Sequence, residues 1–187
     1  GMTAPAKFAE AELASRSEAQ YPWDDGSLQA DWQSELDLLA AALRSTDDAQ
    51  TLALARQFLA GRAARREAAN LTPELVAYEQ HREWLEGLAR YVELEIWRQA
   101  AAGNYLPISD TSRLADFEDY AGFENRWSRE LDQLTRMADD QGEGRFYYTG
   151  MAQAVLLDRL APGWKLRAFD DDAYLENLLG EAARVTR

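Results

Sequence analysis

The residue whose type and position could best support chemistry is Glu86, in the middle of a long helical pattern. Because an α-helix turns by about 100° per residue, Glu86 borders the apolar stripe that contains Leu85. Arg82 and Arg90 each stand four residues away, a spacing that brings side chains together on one helix face. Such a carboxylate can bind a cation or form salt bridges with these arginines. Residue chemistry alone favours the salt bridges.

The histidine and cysteine content removes most other catalytic chemistries. With one histidine and no cysteine, neither a Ser-His-Asp nor a Cys-His arrangement is credible, and this chain has no thiolate for a metal site or a disulfide. The one histidine, His81, is about 140° round the helix from Glu86, so the two cannot easily converge on one ion. We interpret His81 as a helix-surface or partly hydrogen-bonded residue.

The segment around Glu86 resembles a family motif. Residues 84–91 read WLEGLARY, which is similar to the E-G-[LF]-A-x-Y helix of gluzincin metallopeptidases, the peptidase MA-like group that includes relatives of thermolysin and the zinc aminopeptidases. In that group this glutamate is the third zinc ligand, and an upstream HExxH helix supplies two histidine ligands and the general base. The resemblance implies the ligand role for Glu86. Because this sequence lacks HExxH, it implies no cofactor in the isolated chain and zinc only in a longer parent protein.

The resemblance extends to segments on both sides of this helix. Residues 8–25 are similar to a segment that follows the HExxH helix in some relatives, and residues 147–160 are similar to a late Y-x-G helix. Related peptidases often place a Tyr or His donor there to stabilise the oxyanion of the tetrahedral intermediate. The resemblance implies that role for Tyr147 or Tyr148. Residue chemistry alone favours two rings that fill the edge of a core with their hydroxyls in water.

Two functions from different classes follow. In the first, the chain is the C-terminal helical part of a gluzincin-like zinc metallohydrolase and is catalytically incomplete by itself. It would act on a peptide substrate only together with an upstream HExxH segment. Glu86 should then border a hollow left by the missing helix, and homodimerisation would cover that hollow. Gly1 before Met2 is typical of tag removal, so the natural N-terminus would lie upstream. The second is a noncatalytic all-α interaction or scaffold protein.

The composition predicts a single all-α domain over residues 1–187. Four Val and two Ile stand against abundant Ala, Leu, Glu and Arg, whereas strands are usually built from β-branched residues. The net charge of −13 repels phosphate backbones and argues against a nucleic-acid partner. No apolar run approaches the roughly 18 residues of a membrane span, which argues against a membrane protein. The absence of cysteines and of a signal peptide fits a cytoplasmic protein.

The helical periods predict about six to eight helices packed around a long central helix over residues 72–102. Thr72 and Pro73 mark the start of that helix. Its predicted apolar seam consists of Leu85, Leu88, Val92 and Ile96, and Trp84, Tyr91 and Trp97 widen it. Other predicted helices cover residues 5–20, 27–44, 48–69, 112–137 with a break at Gly122, 145–160 with Gly150 at a close helix contact, and a last helix around residues 174–179.

Two kinds of charge cluster have competing interpretations. The arginines of residues 62–66 lie near the end of a predicted helix, and we interpret them as cations that complement the helix dipole rather than as an anion site. The acidic runs at residues 24–25 and 170–172 precede predicted helices. We interpret them as capping groups rather than as cation sites, because their spacing does not suit calcium.

Overall fold

The described part of the chain is built from α-helices. The computed structural model describes residues 4–103, 110, 113–115 and 122–184, and among these residues there is no strand. The helices are α1 (Ala4–Ala14), α2 (Gly26–Arg44), α3 (Asp48–Ala68), α4 (Pro73–Arg82), α5 (Leu88–Ala102), α6 (Phe123–Leu134), α7 (Gly144–Leu160) and α8 (Leu175–Arg184). With α4 and α5 counted as one continuous rod, the described residues form seven helices, which confirms the predicted all-α fold.

Local caps start α3 and α4 where the sequence predicts them. The Asp47 carboxylate accepts the backbone N–H of Gln50 at 2.7 Å and caps α3, which folds back onto α2 after a short link. The Thr72 hydroxyl accepts the backbone N–H of Leu75 at 3.4 Å, and proline follows it at the start of α4. Short links and these caps set α2, α3 and α4 as successive neighbours.

One π-helical turn, Glu83–Gly87, joins α4 to α5 without ending the rod. A π-turn bonds residue i to i+5 and holds about one residue more than an α-turn, so it shifts which face of the following helix is buried. Val92 and Ile96 are 52% and 55% exposed, so the predicted seam is wrong beyond this turn. The buried residues there are Leu94 and the two aromatic residues predicted to widen the seam, Tyr91 and Trp97, so that part of the prediction is confirmed. An uninterrupted helical repeat would bury Ile96. The extra residue of the π-turn shifts the buried position by one, to Trp97.

The rod and α7 touch backbone to backbone at a pair of glycines. A Cβ added to Gly87 would lie 2.4 Å from the Cα of Gly150. A Cβ added to Gly150 would lie 2.3 Å from the carbonyl oxygen of Glu83. Side-chain carbons essentially never approach other atoms this closely, so only glycine fits at either position. The predicted close helix contact at Gly150 is confirmed, and it brings the side chains of α7 against the π-turn.

An aromatic cluster around Phe146 forms the centre of the core beneath α7. The Phe146 ring is fully buried and meets four other rings edge to face at centroid distances of 5.5 to 6.1 Å. Its partners are Tyr21, Trp23, Trp32 and Tyr78. This geometry is the one that aromatic quadrupoles favour. The cluster therefore ties the start of α7 to α2, to α4 and to the turn before α2.

The loop before α8 binds a buried lysine. The Lys7 ammonium donates hydrogen bonds to the carbonyl oxygens of Ala168, Asp170 and Ala173 at 3.3, 2.9 and 3.1 Å. Its side chain is fully buried, and α8 begins only at Leu175. The acidic run at residues 170–172 thus ends before the residue that precedes α8 and does not supply its capping residue. The loop instead fastens α1 to the C-terminal part of the fold.

The break predicted at Gly122 coincides with the start of α6 at Phe123. Residues 111–112 and 116–121 lie outside the described residues. Apart from residues 113–115, the predicted helical segment before Gly122 therefore lies outside the described structure.

We expect Gly150→Ala to lower the free energy of unfolding by about 3 kcal/mol, because the added methyl group meets backbone atoms that cannot rotate away. Gly61→Ala is the matched control, since Gly61 lies inside α3 with no atom within 4 Å of the added carbon. It should raise the stability by about 0.5–1 kcal/mol. Denaturant unfolding measures both changes. Equal effects at the two glycines would contradict the backbone contact.

Candidate functional site

Three arginines of α3 belong to a buried ionic network rather than to a solvated helix end. Arg62 and Arg65 are each 1% exposed, and the side chain of Arg66 is 13% exposed. Arg65 and Arg66 do lie in the last turn of α3, where the sequence places cations that complement the helix dipole, but they also pair with buried carboxylates, which the sequence did not reveal. Arg62 and Arg65 continue the helix face that begins with Ala55 and Phe58, and a face that starts apolar turns inward along its whole length.

Arg62 joins three carboxylates from three parts of the fold. Its two terminal nitrogens donate to both oxygens of Glu83, each at 2.7 Å, in the fork geometry that guanidinium favours. Its Nε donates to Glu35 of α2 at 3.0 Å, and one terminal nitrogen also reaches Glu176 of α8 at 3.0 Å. One guanidinium thus connects α2, the π-turn and α8 to α3.

Arg65 and Arg66 complete the network around Glu79. Arg65 donates to both oxygens of Glu79, at 2.7 and 3.0 Å, and its Nε reaches Glu35 at 2.5 Å. Arg66 donates to Glu79 at 2.7 Å and to both oxygens of Glu176 at 2.8 Å. Glu35, Glu79 and Glu176 are therefore each shared between two arginines. Bonds of this kind fix helix positions more tightly than apolar contacts do.

Neutral donors add further hydrogen bonds to carboxylate oxygens that already accept from the arginines. Three guanidiniums face four carboxylates, so one negative charge of the network has no matching cation within it. The Thr149 hydroxyl donates to Glu83 at 2.6 Å, and the Gln153 amide donates to Glu83 at 2.8 Å. The Gln80 amide donates to Glu176 at 2.6 Å, and the Tyr21 hydroxyl donates to Glu79. These donors replace the water that the buried carboxylates have lost.

The arginines keep two of these carboxylates, Glu79 and Glu176, ionised in spite of their burial. Burial alone would raise the pKa of Glu79, but Arg65 and Arg66 hold it well below its usual range. Burial likewise opposes ionisation of Glu176, whose pKa Arg62 and Arg66 nevertheless lower to about 2. Burial and the adjacent Glu79 raise the pKa of Tyr21, so its hydroxyl stays protonated and donates. All of these charges serve to hold helices together, and we assign no chemistry to them.

Glu86 lies outside the ionic network, in the π-turn and directly before Gly87. Its side chain is 18% exposed, and Arg82 donates to it at 2.9 Å across one helical turn. Arg82 also forms an ion pair with Glu143. The predicted pairing with Arg82 is confirmed, whereas the predicted pairing with Arg90 is wrong. Arg90 instead contacts Glu130 at 2.8 Å.

The structure brings one of the two predicted tyrosines to Glu86. Hydrogen bonding to Glu86, followed by burial, raises the pKa of Tyr147 to about 12, so the phenol is protonated at neutral pH. Tyr148 faces another group: its ring lies 5.6 Å from the Arg90 guanidinium. The Gly87–Gly150 contact explains this division, because it presses the first turn of α7 against the π-turn. Glu86 therefore meets Tyr147, whereas Tyr148 belongs to the neighbouring surface.

His81 lies apart from Glu86 and is buried rather than on the helix surface. Its Nε2 is 3.0 Å from the Tyr174 hydroxyl, and its Nδ1 has no hydrogen-bond partner within the described structure. Burial, followed by the charge of Lys7, lowers the pKa of His81, which favours the neutral imidazole. The histidine thus packs between α1 and the loop before α8.

The residues around Glu86 do not by themselves fit a zinc ion. Catalytic zinc takes three protein ligands and a water molecule, and its ligands are usually His, Cys, Asp or Glu. Within the described ranges, no group of three or more such residues could hold a metal ion. Arg82 moreover forms an ion pair with Glu86, so its positive charge occupies the place of a metal ion at this carboxylate. A zinc site at Glu86 would need ligands from another segment and a movement of Arg82.

Comparisons with known proteins leave the chain without an assigned relative. No protein-family model matches it, and neither the curated proteins nor the solved structures contain a significant match. None of the helices in the described part of the chain combines the length and the apolar character needed to cross a membrane. The candidate functions therefore depend on the geometry of the site and on the motif resemblance.

We expect stability to fall in acid through Glu176. Its folded pKa of about 2 lies below its ordinary value of 4.5, so its contribution is complete above about pH 4.5 and is lost as the pH falls toward 2. Between about pH 6 and pH 3 the native chain should lose about 2 kcal/mol more stability than Glu176→Gln loses. Urea unfolding across this range measures the difference. The exposed control Glu67→Gln should behave like the native chain, and identical slopes for native chain and Glu176→Gln would contradict the assignment.

Proposed function

We propose that this chain is the C-terminal helical part of a gluzincin-like zinc metallohydrolase that is catalytically incomplete by itself. Glu86 would be the third zinc ligand, and Tyr147 would donate a hydrogen bond to the oxyanion of the reacting peptide. The observation that carries the proposal is that Tyr147 lies near enough to Glu86 for that carboxylate to raise the pKa of its hydroxyl. Two residues that the motif resemblance picks out on separate helices, 61 positions apart in the sequence, meet at one partly buried point.

The surroundings of the two residues support these roles. Glu86 is neither fully exposed nor sealed in the core, so a further segment can reach its carboxylate. The raised pKa of Tyr147 keeps its hydroxyl protonated at neutral pH, which an oxyanion donor requires. The Gly87–Gly150 contact holds both residues on rigid elements, and preorganised donors stabilise developing charge without reorganisation.

Arg82 takes a defined part in this proposal. It neutralises Glu86 while the other ligands are absent, since an unpaired, partly buried carboxylate is costly. Its second ion pair, with Glu143, offers it an alternative partner once Glu86 turns to a cation. Arg82 would therefore hold the isolated chain in a stable form that is not competent to bind metal.

A noncatalytic interaction protein is the second candidate, and a surface groove favours it. The groove has a volume of about 1040 Å³ and lies between α3, the end of α7 and α8. Leu166 on its wall is 91% exposed, and Leu52 and Leu178 contribute further apolar surface. Its lining contains arginine and acidic side chains together, which suits pairing with a second copy of the same surface. A second copy of the chain is the occupant that this candidate implies.

Zinc binding separates the two candidates. For the isolated chain, calorimetric titration should show no tight one-to-one zinc complex and peptidase assays should show no activity. For the natural full-length protein, the first candidate predicts an in-frame HExxH segment upstream of Met2 and about one zinc per chain. Glu86→Gln should weaken that zinc binding by at least about 100-fold, because a direct ligand contributes more than its outer-shell supports.

The control is Glu74→Gln, at an exposed position in the first turn of α4 on the same rod. It should leave the zinc content of the full-length protein unchanged. A natural start codon at Met2 without an HExxH segment would reject the metallohydrolase and leave the interaction protein. Tight zinc binding by the isolated chain, lost in Glu86→Ala, would instead reveal a ligand set within this chain and overturn its catalytic incompleteness.

A further inference from the structure

A cleft rich in arginine lies beside Tyr148, on an otherwise strongly acidic protein. Its volume is about 430 Å³, which falls within the range of small-molecule sites. It lies between α5, α6 and α7. Its lining residues are Arg90, Arg126, Arg129, Glu130, Asp132, Gln133, Arg136 and Tyr148. The sequence pattern did not reveal this cluster, because its arginines come from two helices and a turn.

The cleft carries an excess of positive charge. Four arginines and two acidic residues line it, which leaves two positive charges. Two further charged groups pair with the lining from outside and cancel each other: Arg44 lies 3.7 Å from Asp132, and Glu93 contacts Arg90 at 2.7 Å. Since the whole chain has a net charge of −13, the excess is a local departure from the general field. Such a concave, positively charged surface attracts anions.

Two of the arginines are held in place and two are free to bind. Arg90 donates to both oxygens of the buried Glu130, at 2.8 and 3.1 Å, and Arg126 contacts the same carboxylate at 2.7 Å. Arg129 and Arg136 are exposed and form no ion pair with any described residue. The anchored pair gives the cleft a fixed floor. The free pair offers guanidinium donors that are not already committed.

We propose that this cleft binds the phosphate group of a small phosphate monoester. A phosphate monoester carries about 1.5 to 2 negative charges near neutral pH, which matches the excess of the cleft, and it presents three acceptor oxygens. Guanidinium groups bind such oxygens in pairs. The volume leaves room for an organic group beyond the phosphate. The Tyr148 hydroxyl, which burial keeps protonated, offers one more donor at the wall.

This inference is independent of the proposed zinc chemistry. The cleft contains Tyr148 and Arg90, whereas Glu86 contacts Arg82 and Tyr147. A phosphate site can therefore exist whether or not Glu86 ever binds a metal. A variant that loses phosphate binding in the cleft should keep zinc binding at Glu86 in the full-length protein, and the reverse should also hold.

The test is calorimetric titration of the chain with glycerol phosphate at constant ionic strength. We expect saturable one-to-one binding, and inorganic phosphate should bind at the same site. Arg129→Gln/Arg136→Gln should weaken it by at least about tenfold, because each change removes charge-assisted hydrogen bonds. Asp132→Asn removes an opposing charge from the wall and should tighten it. Since all three residues are exposed, the fold should persist, and circular dichroism checks this.

The control is Arg16→Gln/Arg184→Gln, which removes the same charge from exposed positions outside the cleft. Its affinity for glycerol phosphate should equal that of the native chain. Equal weakening in both double variants would show that the affinity follows the total charge of the chain rather than the cleft, and would overturn the proposal. So would the absence of saturable binding by the native chain. Tighter binding of glutarate than of either phosphate compound would overturn the assignment to phosphate in favour of a carboxylate.

Discussion

The buried pairing of Arg62, Arg65 and Arg66 with four glutamates is the constraint on which the rest of the structure depends. Taking a guanidinium or a carboxylate out of water is costly, and the attraction between them compensates only when the geometry leaves few donors and acceptors unpaired. Here the partners come from α2, α4, the π-turn and α8, and α7 adds neutral donors. All of these elements must therefore be in place before the buried charges are paired. An arrangement that misplaced one of them would leave a charge buried without its partner.

The network reaches the candidate site through the π-turn. Glu83 opens that turn and is held by Arg62 and Thr149, and Gly87 closes it against the backbone of α7. Glu86 lies between these two fixed points, so its direction follows from theirs. π-turns often mark functional positions, because they interrupt the regular hydrogen-bond ladder and redirect a side chain. The contact of Glu86 with Tyr147 is thus a consequence of how the ionic core and the glycine contact position the turn.

The helices, their caps and the glycine contact could be predicted from the sequence because each depends on local spacing. Thr72, Asp47 and Gly150 carry signals that lie within a few residues. The π-turn could not be predicted in this way, since its extra residue is fitted to α7, which follows much later in the chain. The arginine partners were missed for the same reason, although Arg62 and Arg65 repeat the spacing of Ala55 and Phe58. The sequence did carry one signal for a buried ion pair, namely that these two arginines lie on the apolar face of α3.

The most direct test of this account is a double-mutant cycle between Arg62 and Glu83, with Arg62→Met and Glu83→Gln, measured as free energies of unfolding. Arg62→Met leaves the buried Glu83 carboxylate with neutral donors alone and should cost about 3–5 kcal/mol. Glu83→Gln should cost less, because Arg62 keeps its ion pairs with Glu35 and Glu176. The double variant should cost less than the sum by about 2 kcal/mol, because it removes both charges of the pair together. Additivity to within about 0.5 kcal/mol would contradict the central place of the network.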